Sequence, residues 1–246
     1  VPDPVLIFIG LVFALAGLIK GVIGLGLPTI SMGLLAVVMP PVHAAAILIL
    51  PSLITNVWQM LAGAALAVVF RRLWPMMLAI CLGTWAGLGL MTTASARFGT
   101  ALLGIALALY AVTGVAALPL FVPKPWERIL SPIIGAVTGL ITAATGVFVI
   151  PAVPYLQAIG LEKDELVQAL GLSFTVSTIA LAVNVALEGG LRLSIAADTI
   201  AGLGLACAGM WIGQTIRLRM SPTTFRKWFF TGLMALGGYL AVRSLV

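Results

Sequence analysis

Charge is what this sequence has least of. Only 8% of its 246 residues are charged, against about 25% in an average globular domain. The acids are seven: Asp3, Glu127, Glu162, Asp164, Glu165, Glu188 and Asp198. There is one histidine, His43, and there are two cysteines, Cys81 and Cys207. So little charge cannot clothe a water-soluble fold of this length, which excludes a soluble enzyme. The net charge of +6 does not make a nucleic-acid binder either, because the basic residues are scattered among apolar runs and form no patch. With one histidine and no clustered acids, a metal or nucleophile constellation is missing, so neither an enzyme nor a cofactor is expected. Both cysteines lie inside apolar runs, so no disulfide framework is indicated.

What is abundant is apolar sequence: 62% of the residues are hydrophobic and the mean hydropathy is +1.22. The expectation is an all-α polytopic membrane protein. At about 20 residues per crossing, the chain holds about eight to ten segments and no soluble domain. The runs are too continuous for a membrane β-barrel, whose strands alternate. The start, Val1-Pro2-Asp3-Pro4, has no basic leader, so the first run reads as a span and not as a cleaved signal.

Charges and prolines divide the chain into two sets of five apolar pieces. The first set is Val5–Ile23, Leu27–Val38, Ala44–Phe70, Trp74–Thr93 and Gly99–Phe121. The second is Ile129–Thr145, Val147–Gly160, Leu166–Leu187, Ile195–Ile216 and Phe225–Val242. This predicts a first membrane repeat over 1–121, a linker loop over 122–128 and a second repeat over 129–246. The second piece of each set is too short to cross and reads as a re-entrant or interrupted helix. At an offset of 122, Gly17-Leu18-Ile19 matches Gly139-Leu140-Ile141 and Gly24 matches Gly146. At an offset of 126, Gly83-x-Trp85-x-Gly87 matches Gly209-x-Trp211-x-Gly213 and Cys81 matches Cys207.

Basic residues favour the cytoplasmic side. If Arg71 and Arg72 sit in an inside loop and each short piece turns back, nine basic residues lie inside: Arg71, Arg72, Lys124, Arg128, Lys163, Arg217, Arg219, Arg226 and Lys227. Three lie outside: Arg97, Arg192 and Arg243. This arrangement requires inverted repeats and puts both termini outside.

Inverted repeats with broken helices are a recurring transporter plan, with the site near the midplane. The breaks are expected at Gly21–Pro28, containing Gly24 and Gly26, and around Thr145-Gly146 up to Pro151. A helix restarting after each break would offer free N–H groups and partial positive charge to an anion. Lys20, in the first run just before its break, is a functional candidate because a charge inside a bilayer is costly; snorkelling is the alternative. Its repeat partner is the neutral Thr142. In the third piece of the first half, Ser52, Thr55, Asn56 and Gln59 share one helical face; in the second, Ser173 and Ser177 do. Thr175, Thr178 and Asn184 accompany them. These could orient the oxygens of a ligand or bond helix to helix. Trp85 and Trp211 are expected to be packing residues, His43 to lie in an outer loop and Asp198 at an outer helix start.

At the glycine breaks the chain resembles a known family. Gly17-x6-Gly24-x-Gly26, a proline-containing turn and a polar third helix, repeated in the second half, resemble the sulfite exporter TauE/SafE family from about Val5 to Val242. The resemblance implies a transporter, built from a duplicated unit in the bacterial inner membrane, for sulfite, sulfoacetate or related C2 sulfonates. On this reading Lys20, Gly24, Gly26, Asn56, Gln59, Thr145, Gly146, Ser173 and Ser177 would form the substrate site. An anion channel, a facilitator, or a carrier of another small organic anion are the alternatives. The expected partners are the small anion, the lipid bilayer and a coupling proton or ion, with homodimerisation left open and no nucleic acid.

Overall fold

The computed structural model describes residues 4–93, 96–116, 120–190, 196–217 and 222–244, and these are helical with no strand among them. In order, the helices are α1 (Pro4–Ile23), α2 (Leu27–Leu35), α3 (Pro41–Leu61), α4 (Leu66–Ala86), α5 (Leu90–Thr93), α6 (Ala96–Ala116), α7 (Lys124–Thr145), α8 (Ala152–Ala158), α9 (Lys163–Leu187), α10 (Ala196–Arg217) and α11 (Pro222–Arg243). Seven are long and apolar enough to cross a membrane: α1, α3, α4, α7, α9, and the stretches Phe98–Ala116 of α6 and Thr199–Ile216 of α10. The 20 residues of α1, at about 1.5 Å each, match a hydrocarbon core of about 30 Å. α2 and α8, with 9 and 7 residues, cannot span it.

Several boundaries differ from those that charge alone suggests. Arg71 and Arg72 lie within the helix α4, and the turn that precedes them is formed by Ala62–Ala65. Gln168 ties that turn, accepting from the Ala65 N–H at 2.7 Å and donating to the Met60 carbonyl at 2.9 Å. Arginines near a membrane surface can stay helical because their heads reach water. The piece Trp74–Thr93 is interrupted at Gly87–Gly89, where Gly89 adopts φ +86° and its N–H is held by Glu188 at 2.7 Å. Helix α7 already begins at Lys124 within the expected linker, since Pro123 and Pro125 preset the first turn and Glu127 favours its positive end. His43 is exposed but sits in the first turn of α3. The Asp198 side chain lies outside the described residues.

The halves interleave. α1 packs on α10, and α7 packs on α4. Gly17 abuts the Ala206 carbonyl and Gly139 abuts the Ile80 carbonyl; Gly209 abuts Ala14 and Gly83 abuts Ala136. These are the same two contacts with the halves exchanged, at the offsets 122 and 126. The Phe13 ring covers Gly202, and at the same two offsets Gly135 abuts the Met76 carbonyl. Contacts advance together along α1 and α10 (Phe13 with Gly202, Gly17 with Ala206, Gly21 with Met210), so these helices run parallel. Along α3 and α9 they run oppositely, from Ser52 with Thr178 to Met60 with Gly171. α6 and α11 are also antiparallel, from Gly104 with Ala241 to Gly114 with Phe230.

Trp85 and Trp211 do not pack between helices: they are 48% and 71% exposed. At about 100° per residue, glycines two positions either side of a tryptophan share one face and leave the ring on the opposite one. The glycines take the helix interface, and the indoles face outward.

Candidate functional site

Both α1 and α7 end on a left-handed glycine. The Gly24 N–H donates to the Lys20 carbonyl at 2.7 Å with φ +76°, and the Gly146 N–H donates to the Thr142 carbonyl at 2.8 Å with φ +70°. An L side chain resists that conformation, so both breaks are written into the sequence at equivalent positions. After Gly24 the chain needs only two further residues, Leu25 and Gly26 (φ +109°), before α2 starts with Pro28 in its first turn. After Gly146 the break is longer, and α8 starts only at Ala152. A new helix immediately after Gly146 is therefore not what the structure shows.

The last turn of α1 carries Lys20 into the interior, where it is 4% exposed. Its Nζ donates to Thr55 Oγ1 at 3.1 Å and to Asn56 Oδ1. The network beyond is directed away from the amine. Thr55 donates at 2.7 Å to the carbonyl of Pro51, the proline inside α3. Asn56 Nδ2 donates to Ser52 Oγ at 3.0 Å and to Thr178 Oγ1 at 3.3 Å. Thr178 in turn donates to the Phe174 carbonyl at 2.7 Å. Lys20 therefore meets only neutral lone pairs, with no carboxylate partner among the described residues. An ammonium has three N–H donors, and two acceptors engage it.

Asn56 and Thr178 are repeat equivalents, 122 positions apart. Their contact joins the two halves, so the Lys20 cluster lies where α3 and α9 meet. Thr142, the equivalent of Lys20, bonds back to the Thr138 carbonyl at 2.7 Å. Of these two positions, 122 apart, only one carries an amine.

The other expected site residues take different places. Gln59 lies one turn beyond Asn56, donates to the Val167 carbonyl at 3.3 Å and leaves its Oε1 without a partner. It is also the side chain nearest Gly24, 3.9 Å from where a Cβ there would stand. Gly26 packs under Ile19 and Phe229. Thr145 stays within its own break, donating to the Ile141 carbonyl at 2.7 Å and accepting from the Val147 N–H at 3.2 Å. Gly146 is covered by Met32 of α2. Ser173 and Ser177 are fully buried, and neither hydroxyl has a partner. Ser52, Thr55 and Thr178, offered by the sequence as neutral donors on the polar third helices, belong to the cluster. For Thr178 the signal was available, since it stands 122 positions after Asn56.

The family model described as Sulfite exporter TauE/SafE matches residues 9–240. The chain belongs to that family. The matched stretch runs from α1 into α11, so it takes in both glycine breaks, both polar third helices and the Lys20 cluster. The TauE/SafE family is one of membrane transporters, which agrees with a helical protein that has seven candidate membrane spans and a buried lysine between its two halves. No curated protein and no solved structure matches the chain.

Proposed function

We propose that this TauE/SafE member is a secondary transporter of a small sulfur oxyanion, sulfite or a C2 sulfonate such as sulfoacetate, and that it works as an exporter in a bacterial inner membrane. The observation that carries this reading is Lys20, a buried amine held between the halves with neutral partners only among the described residues. A charge in that place is costly unless something compensates it, and an anion bound to the third N–H would do so. Neutral donors suit the oxygens of such a ligand: the unpartnered hydroxyls of Ser173 and Ser177 are close in sequence to Thr178, and Ser177 is the repeat equivalent of Thr55. Gln59 stands where the first break opens.

The proposed cycle is alternating access, with one half rocking against the other around the axis. The glycine faces of α1–α10 and α4–α7 would be the sliding surfaces. The sequence carries no ATPase motif, so the driving force would be an ion or proton gradient, and no enzymatic step is involved. Reconstitution into proteoliposomes tests this. Labelled sulfite or sulfoacetate should show saturable counterflow, with internal unlabelled anion accelerating uptake of the external label. A flux that is linear in concentration and shows no counterflow would identify a channel instead.

A further inference from the structure

The two short helices are pinned in the same way. Val37, just after α2, and Ile159, just after α8, are 122 positions apart. The carbonyl of each accepts from an arginine at 2.7 Å, Val37 from Arg243 Nη1 and Ile159 from Arg72 Nη2. The arginines themselves are not equivalent, and each comes from the opposite half. Arg72 also forks onto Glu127, from Nε to Oε2 at 2.8 Å and from Nη2 to Oε1 at 2.7 Å. One guanidinium thus holds a backbone carbonyl and a carboxylate together.

Among the described residues Arg243 holds only the carbonyl. Beside it opens a cavity of about 390 Å³, lined by Val37, Met39, Pro40, Thr100, Arg243 and Ser244 among others, with no acid among the described lining residues. That volume falls within the range of about 300–1,000 Å³ usual for small-molecule pockets. A guanidinium carries five N–H donors and no acceptor, and its fork fits two oxygens on one centre. We infer that this cavity is an oxyanion-binding site in which Arg243 grips the ligand as Arg72 grips Glu127. The ligand class is a small group with at least two anionic oxygens on one atom: sulfonate, sulfate, carboxylate or phosphate. It shares no lining residue with the Lys20 cluster and stands whether or not the central site carries an anion. Two sources offer this chemistry, a free anion and the phosphate of a lipid headgroup.

The test is chemical modification of arginine by phenylglyoxal, followed residue by residue by mass spectrometry, on the full chain in a phosphate-free maltoside detergent. Sulfate and isethionate probe the free-anion source; added phosphatidylglycerol probes the headgroup. Either should slow modification of Arg243 by about tenfold or more, the scale of a charge-assisted bond, while exposed Arg71 reacts at an unchanged rate. Protection by sulfate or isethionate upholds the site as one for free anions, and protection by the lipid alone upholds it as a headgroup site. The Lys20→Met variant should show the same protection. Arg243 modified at the same rate with every probe, or protection that vanishes in Lys20→Met, overturns the assignment. As a second readout, Arg243→Gln should still fold, with the end of α2 less firmly held, yet lose any thermal stabilisation that sulfate gives the wild type.

Discussion

Asn56 reaches Thr178 across a gap of 122 positions in sequence and 3.3 Å in space, and the same amide accepts from Lys20. One side chain therefore joins the second half of the chain to the buried amine of the first. Three consequences concern this centre and the helix pairs around it, and a fourth concerns the orientation in the membrane.

Lys20→Met keeps length and removes the amine. A charge-assisted hydrogen bond contributes about 1.5–3 kcal/mol, so anion affinity should fall about ten- to a hundredfold while the protein still folds. Equilibrium binding of sulfite and sulfoacetate to purified protein measures this. Wild-type affinity in the variant would show that the lysine is not a ligand.

Gly17→Ala and Gly139→Ala should each destabilise the protein. A Cβ at either position would fall on a carbonyl of the partner helix, and overpacking of a tight contact costs about 1–3 kcal/mol. Gly204→Ala and Gly232→Ala, where a Cβ meets nothing within 4 Å, are the controls and should be neutral or slightly stabilising, since alanine favours helix. Thermal unfolding in detergent separates the two groups. Equal behaviour of all four would contradict the helix pairing described above.

Arg72→Gln should loosen α8 more than Glu127→Gln does, because Arg72 also holds the Ile159 carbonyl. Removing both should cost less than the sum of the single losses, since the shared fork is lost once. A double-mutant cycle on unfolding reads the coupling, and simple additivity would mean that the pair does not cooperate.

Orientation is open to a direct check. In a background lacking Cys81 and Cys207, His43→Cys should be labelled by an impermeant maleimide from outside intact cells. Arg71→Cys should be labelled only after permeabilisation. The opposite pattern would reverse the orientation drawn from the nine-to-three bias of basic residues.

Much of this fold could be read from the sequence because membrane helices advertise themselves by composition and because glycines recur where backbones touch. Gly17, Gly139, Gly83 and Gly209 gave the offsets, and the contacts follow those offsets residue by residue. Lys20 and Asn56 were legible as polar groups in an apolar setting. Helix ends were less so. Arg71 and Arg72 looked like a loop, yet flexible stems let charged heads reach water from within a helix. The outward turn of Trp85 and Trp211 is hidden in the Gly-x-Trp-x-Gly motif, because its glycines and its tryptophan project from opposite sides of a helix. The cross-half caps on Val37 and Ile159 could not be read at all, since a backbone acceptor leaves no mark in the sequence.

The exchange of partners between α1–α10 and α7–α4 has a consequence for what counts as a part of this molecule. Each half exposes a glycine-lined groove that only a helix of the other half fills, and each short helix ends on a guanidinium from the other half. Cutting the chain at its middle would yield two fragments with open seams, each able to bury its first helix only by finding the other. Co-expressed, the fragments should reassemble; alone, each would have to pair with a second copy of itself inserted the other way up.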